Sequence, residues 1–237
     1  KNKIDIIVSL NELEKKYVER INIYGNYITE EKVIRNRLIV DEGDPLNDIL
    51  LNKSLNEIKS LNIFGKVTSN IEEGSDSRSK IVNINLEEKP TGEIAAGAGT
   101  GTSGSSVSFS IKENNYLGRG IKLKSALALS DTQVKGSLII DNPNYKNSDR
   151  SLKTTIESVS TDNMSRFGYK SDKTGFSFGT SYEQYRDIFF SPTVESSYED
   201  ISTNSLASAS KKKQQGSYLD LILDYDIVLN KLNQNFN

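Results

Sequence analysis

The chain has 237 residues, 35% of them hydrophobic, and its 30 basic and 32 acidic side chains give a formal net charge of −2. Such a near-neutral balance provides no overall field that would draw the chain to nucleic acid. Because the sequence contains no His and no Cys, the usual general base near neutral pH, a thiolate nucleophile and a disulfide are all excluded. No stretch approaches the roughly 18 consecutive apolar residues of a membrane-spanning helix. The chain starts at Lys1 and not at a Met, and we interpret it as a fragment.

Up to about residue 89 the sequence mixes the periods of helices and strands. Residues 4–10 and 17–24 alternate as strands, and Gly25 with Asn26 ends the second. Thr29 is predicted to cap a short helix that continues to about Ile39.

A second helix is predicted after the turn at residues 41–45, with Asn47 or Asp44 as its cap. One face of this helix is apolar and carries Leu51, Leu55, Ile58 and Leu61. Residues 66–71 and 80–88 then alternate as two strands joined by a turn at 73–76. The predicted element order from residue 17 to 89 is therefore β-α-α-β-β, an α+β domain.

After Pro90 nearly every segment alternates with period two, and polar or Gly-containing turns separate the segments. We count about eight strands, several close to the roughly 9 to 11 residues that cross a bilayer at a tilt. The mean hydropathy of −0.51 is compatible with strands that have one apolar and one polar face. The connections at residues 162–171 and 200–215 are predicted to be long and polar. We expect an all-β, antiparallel, up-and-down transmembrane β-barrel that is only partly present.

Several blocks of sequence resemble the BamA family. Residues 17–26, 42–47 and 61–67 are similar, in type and spacing, to a POTRA domain, and residues 82–92 resemble the join from the last POTRA domain into the barrel. Residues 114–120 and 141–145 are similar to the first two periplasmic turns. On this resemblance, residues 1–12 are the closing strand of a preceding POTRA domain, 17–89 the last POTRA domain and 91–237 the N-terminal part of the barrel.

The resemblance implies a role in assembling and inserting β-barrel proteins in the outer membrane, with the POTRA domain in the periplasm. The implied partners are nascent outer-membrane proteins, accessory lipoproteins of an assembly complex and the lipid bilayer, but no nucleic acid. The implied protein is no enzyme and needs no cofactor or metal.

A candidate site for client strands is the first barrel strand, because unpaired backbone groups template pairing. Glycines on one of its faces provide little side-chain packing and raise the entropic cost of ordering the strand. Its seam with the closing strand would therefore open at a low cost in free energy. Glu93, Ala96 and Ala98 are predicted to give a poor lipid-facing surface and to thin the bilayer locally. The seam candidates are Gly92, Ile94, Ala96, Gly97, Gly99 and Gly101, and the candidate periplasmic turn is Leu117, Gly118, Arg119 and Gly120.

Four other patterns have ordinary interpretations that we favour. Residues 97–101 resemble a nucleotide-binding loop, but a strand follows where a helix is needed. Residues 41–44 lack the ligand spacing of a calcium loop. The lysines at 211–213 fit a solvated charge run better than a site for lipopolysaccharide phosphates. Tyrosines near strand ends suit an interfacial girdle; they are Tyr116, Tyr145, Tyr182 and Tyr225.

Two alternatives remain open from sequence alone. A POTRA-barrel translocation protein, similar to TamA or to the two-partner secretion transporters, would export chains instead of assembling barrels. A soluble adhesin-like β-domain would bury the apolar strand faces against a second sheet.

Overall fold

The computed structural model describes residues 14–101 and 104–231. These residues fall into two compact units. The first holds the described residues up to Tyr27 together with Arg37–Lys89, and the second holds Ile28–Asn36 together with the described residues from Pro90 onward.

Between residues 14 and 90 the structure has three strands and two helices in the predicted order, so the expected α+β arrangement is confirmed. Their bounds are β1 (Tyr17–Tyr24), α1 (Glu31–Arg35), α2 (Asp48–Ser60), β2 (Phe64–Glu73) and β3 (Ser79–Glu88). The three strands form one sheet in the order β1-β3-β2, with β1 parallel to β3 and β2 antiparallel to it. Apolar side chains of the sheet and of α2 form the core, among them Val18, Ile21, Leu51, Leu55, Ile58, Val82 and Ile84.

Helix α2 begins as predicted, because the Asn47 side chain accepts hydrogen bonds from the amides of Ile49 and Leu50 and satisfies two donors that no helical carbonyl reaches. A short helix, α1, follows Thr29 as predicted, but its cap and its end were predicted wrongly. Its N-cap is Glu30, without a side-chain capping bond, and the helix ends at Arg35 instead of continuing to Ile39. The Thr29 hydroxyl instead accepts a hydrogen bond from the Asn115 side chain.

The remaining strands form one antiparallel sheet of eight in which each strand pairs with its neighbours in sequence. This is the predicted up-and-down order. The strands are β4 (Gly92–Gly101), β5 (Gly104–Tyr116), β6 (Ile121–Ser130), β7 (Gln133–Asn142), β8 (Ser151–Asn163), β9 (Tyr169–Tyr185), β10 (Ile188–Thr203) and β11 (Gly216–Leu229).

Two short helices, α3 (Met164–Phe167) and α4 (Ala209–Lys213), lie in the connections of this sheet. The prediction of a long connection at residues 162–171 was wrong. Strands β8 and β9 extend through most of this segment and leave only residues 164–168 between them. Among the residues that the structure describes, none of the helices has the length and apolar content that a membrane-spanning helix needs.

Candidate functional site

The pairing register of the eight-stranded sheet sorts its side chains into two faces, because successive residues of a strand point to opposite sides. One row of facing residues crosses all eight strands through Ile94, Ile111, Ser125, Leu138, Ile156, Phe176, Ser196 and Leu221. We call the side that carries this row the apolar face. Large side chains on this face are exposed, with Ile94 at 71% and Leu223 at 75%. A continuous exposed apolar surface of this size indicates contact with lipid or protein.

The opposite side of the same strands is polar. Its central row runs through Ala95, Ser110, Ala126, Ser137, Glu157, Gly175, Ser197 and Asp220. We call this side the polar face. One apolar and one polar face along every strand is the pattern of a membrane barrel, whose outside meets lipid and whose inside meets water.

Aromatic rings cluster on the apolar face near the turn between β9 and β10. The ring of Phe190 lies 5.9 Å from that of Tyr182 and 6.2 Å from that of Tyr225, measured between centroids. Two of the four predicted girdle tyrosines thus share one neighbour at the end of the apolar face, where a membrane interface would place them. Tyr116 ends β5 and Tyr145 lies in the turn after β7.

Strand β4 is the leading edge of the sheet, and among the described residues it pairs only with β5. Every residue of β4 is exposed. The six predicted seam residues all lie on this strand but not on one face: Gly92, Ile94 and Ala96 belong to the apolar face, whereas Gly97, Gly99 and Gly101 belong to the polar face.

The orientation predicted for Glu93 was wrong. Glu93 is three residues from Ala96 and therefore lies on the polar face, where it is paired with Lys112 of β5. The apolar face of β4 carries small side chains, Ala96 and Ala98, without this carboxylate. The strand is thus poor in packing surface on both faces.

The predicted periplasmic turn is packed tightly within the second unit against residues 28–36. The Asn115 amide nitrogen donates to the Thr29 hydroxyl at 2.9 Å, and the Glu30 amide donates to the Gly118 carbonyl at 2.8 Å. Both Thr29 and Asn115 are buried. A Cβ on Gly118, whose φ is +70°, would lie 2.0 Å from the Ile28 carbonyl oxygen. We call this contact between residues 28–36 and residues 115–120 the clasp.

Charge also contributes to the clasp. The Lys32 ammonium, through a direct hydrogen bond, and the Arg119 guanidinium nearby hold the pKa of the Glu30 carboxyl below its ordinary value. Of the predicted turn residues, Gly118, Arg119 and Gly120 contact the 28–36 segment, whereas Leu117 is 70% exposed.

Glu113 connects the clasp to the start of β4, and sequence reasoning missed it. Its carboxylate accepts a hydrogen bond from the Thr91 hydroxyl and another from the Asn115 amide. The Asn114 amide also donates to the Thr91 carbonyl. The residue that precedes β4 is therefore held by the same turn that holds Thr29. A glutamate among strand residues gives no sequence signal for such a role.

At the other end of the sheet, α4 follows the connection after β10. The Lys211 ammonium lies 4.9 Å from the centre of the Tyr169 ring, and Tyr169 is on the polar face, because it pairs with Asn163 and Thr203. Lys211 is therefore directed toward the polar side of the sheet, away from lipid. This position agrees with the interpretation of residues 211–213 as an ordinary charge run.

In the first unit, the two outer strands of the sheet differ in what covers their edges. Residues 42–46 hydrogen-bond along the start of β1: the Val18 amide donates to the Asp44 carbonyl and the Ile21 amide to the Glu42 carboxylate. Within residues 14–101 and 104–231, no backbone segment hydrogen-bonds to the outer edge of β2. Of the two outer edges of this sheet, that of β2 is the open one in the described chain.

Comparisons with known proteins match both parts of the chain. A family model described as "POTRA: Surface antigen variable number repeat" matches residues 16–89. The outer membrane protein assembly factor BamA of Neorickettsia risticii is 24% identical over 237 residues, which is 99% of this chain and 32% of that protein. BamA of Neisseria meningitidis serogroup B is 26% identical over 144 residues, 60% of this chain and 18% of that protein.

A solved structure gives the same result for the fold. The crystal structure of BamA from Haemophilus ducreyi lacking POTRA domains 1–3 superimposes with a TM-score of 0.72 at 20% identity, over 93% of this chain and 46% of that one. The chain spans about a third or less of the length of these two curated relatives.

The mixed sheet with its helices, followed by an eight-stranded antiparallel sheet, defines a POTRA domain joined to part of an outer-membrane barrel. Residues 16–89 match the POTRA family model, and the chain as a whole is similar to BamA proteins. It is accordingly non-enzymatic, with its barrel part in the outer membrane and its POTRA domain in the periplasm.

Proposed function

We propose that the full-length protein assembles and inserts β-barrel proteins into the outer membrane, with β4 as the strand that receives the client. The observation that carries this proposal is the make-up of β4, an end strand that pairs only with β5 among the described residues and has three glycines on one face. A row of free N–H and C=O groups is a template for another strand. No covalent chemistry is needed, in agreement with a sequence that has no His and no Cys.

The composition of β4 supports the proposal. Three glycines of one face add no side-chain packing, and each loses more conformational freedom on ordering than any other residue would. Pairing of β4 with a closing strand is therefore weak, and exchange of that strand for a client strand costs little.

The POTRA domain would bind clients or accessory lipoproteins in the periplasm. Its β2 edge offers the same kind of backbone template, since residues 42–46 already occupy the beginning of the β1 edge. A client strand would add next to β2 by main-chain hydrogen bonds.

The test is to stiffen β4 in the full-length protein with Gly97→Val and Gly99→Val. A Cβ at Gly97 would lie 3.2 Å from the Ser108 hydroxyl and one at Gly99 3.8 Å from that of Ser106, so both side chains fit with small shifts. Removing two strand glycines favours ordered pairing by about 1–2 kcal/mol, and we expect client insertion into liposomes to slow roughly five- to thirtyfold.

A matched control is Gly136→Val in β7. A Cβ there meets no atom within 4 Å, and the strand is paired on both sides. We expect the control to insert clients at the wild-type rate. Equal rates for the β4 variant and the wild type, with both folded, would contradict the proposed role of β4.

A further inference from the structure

On the polar face, lysines predominate toward the β5 end of the sheet and carboxylates toward the β11 end. Strands β5, β6 and β8 carry four exposed lysines, Lys112, Lys122, Lys124 and Lys153, which we call the lysine band. Strands β10 and β11 carry carboxylates on the same face, namely Glu195, Glu199, Asp220, Asp224 and Asp226.

The register places like charges directly opposite each other in the lysine band. Lys112 of β5 faces Lys124 of β6, an arrangement that destabilises a sheet when no counter-charge is present. Lys122 faces Asp141 of β7, which in turn faces Lys153 of β8.

The lysine band has too few carboxylates to neutralise it. Glu93 and Asp141 are the acidic residues paired directly with it, so four positive and two negative charges leave a net charge of +2. None of the four ammonium groups lies within 4 Å of a carboxylate oxygen in the described chain, whereas Lys135 on the same face forms a 3.1 Å ion pair with Glu157.

The position of the lysine band decides which anion it suits. It lies on the polar face, on the side of the sheet opposite the exposed apolar rows, so lipid headgroups are excluded. Lys122 and Lys124 are two residues apart on one strand, about 6.8 Å, which is also the distance between alternate residues of an extended peptide. The band begins on β5, the direct neighbour of β4, close to the turn at residues 114–120.

We propose that the lysine band binds an extended, acidic segment of the client polypeptide and holds it beside β4. This inference rests on the proposed function and names a feature of its substrate: carboxylates at alternate positions of the segment that approaches the seam. Exposed charges of one sign steer an oppositely charged chain and raise its rate of encounter, an effect that salt weakens.

The experiment measures binding of a fluorescein-labelled peptide with alternating Glu and Thr to the full-length protein in nanodiscs, by fluorescence anisotropy. The variant combines Lys112→Gln, Lys124→Gln and Lys153→Gln. The control removes three charges from α4 with Lys211→Gln, Lys212→Gln and Lys213→Gln. Unchanged circular dichroism establishes that each variant is folded.

We expect the Kd of the band variant to rise about tenfold, as three exposed charge contacts are lost, and the Kd of the control to stay at the wild-type value. Wild-type binding should weaken from 50 to about 300 mM salt, since screening shortens the reach of exposed charges. A Gln-for-Glu version of the peptide should bind no better than the band variant binds the acidic one.

Equal affinity of the band variant and the wild type, or equal binding of the acidic and Gln peptides, would overturn the inference. Client insertion by the wild-type protein, measured separately, tests the proposed function. Insertion without selective peptide binding refutes the lysine band alone, whereas peptide binding without insertion refutes the proposed function.

Discussion

Lys80 shows how a single charge is accommodated in the core of the first unit. It is 6% exposed and forms an ion pair with Glu73, whose side chain is 75% exposed. The hydrogen bond from Lys80 holds the pKa of Glu73 below its ordinary value, and the same bond raises the pKa of Lys80. Removing Glu73 would leave the buried Lys80 ammonium without its carboxylate partner, which is the costly state of an ion pair.

These pKa shifts predict how the first unit responds to pH. The stabilisation that Glu73 gives the folded state is fully present above its ordinary pKa of 4.5 and is lost as the pH falls through the lowered pKa. The stabilisation that Lys80 gives is fully present below its ordinary pKa of 10.5 and is lost as the pH rises through the raised pKa. We expect Glu73→Gln to weaken hydrogen-exchange protection of the Val82 amide at pH 7 and to flatten its loss below pH 4.5. Glu57→Gln, which removes a charge on α2 away from Lys80, should keep the wild-type profile; a flattened profile there would contradict this assignment.

Thr29 and Asn47 show which capping predictions a sequence supports. Both residue types cap helices, but the partners of Asn47 are the amides of the next residues in its own helix. The Thr29 hydroxyl instead accepts from Asn115, 86 positions away. Capping preferences describe hydrogen bonds between residues close in sequence. The bond between Asn115 and Thr29 therefore could not be predicted without knowledge of the fold.

Strand lengths and strand faces differed in how well they could be predicted. Alternation identified all eight barrel strands, because period two is a property of each strand by itself. The ends of β8 and β9 were missed, since polar residues such as Asp162 and Lys170 still form ladder pairs beyond the apolar part of the strand. The clasp has no periodic signal at all, since its bond between Thr29 and Asn115 joins residues 86 positions apart.

The clasp can be broken with one methyl group. Gly118→Ala would force a side chain into the left-handed region and toward the Ile28 carbonyl, at about 1–2 kcal/mol for the backbone alone. We expect exchange of the Glu30 amide, which donates to the Gly118 carbonyl, to accelerate tenfold or more. Gly136→Ala, in open space on β7, serves as the control. Unchanged protection of Glu30 in Gly118→Ala would show that the clasp does not hold residues 28–36.

For the molecule as a whole, the two faces of the sheet predict opposite tolerance to charge. Leu127 is on the apolar face and its neighbour Ala128 on the polar face. We expect Leu127→Arg to destabilise the barrel in a bilayer by roughly 2–4 kcal/mol, and Ala128→Arg to have little effect. Folding yield in liposomes, followed by the shift in gel mobility without heating, measures both. Equal yields would show that the row of Leu127 does not face lipid.

The clasp also changes where the chain divides. The family model assigns residues 28–36 to the POTRA domain, whereas their contacts group them with the barrel strands. A chimera that takes its POTRA domain from one relative and its barrel from another would therefore combine residues 28–36 of one protein with a turn at 115–120 of another. The contacts between the two segments would then be mismatched. Such a chimera should fold with an intact clasp only when residues 28–36 and the turn at 115–120 come from the same protein.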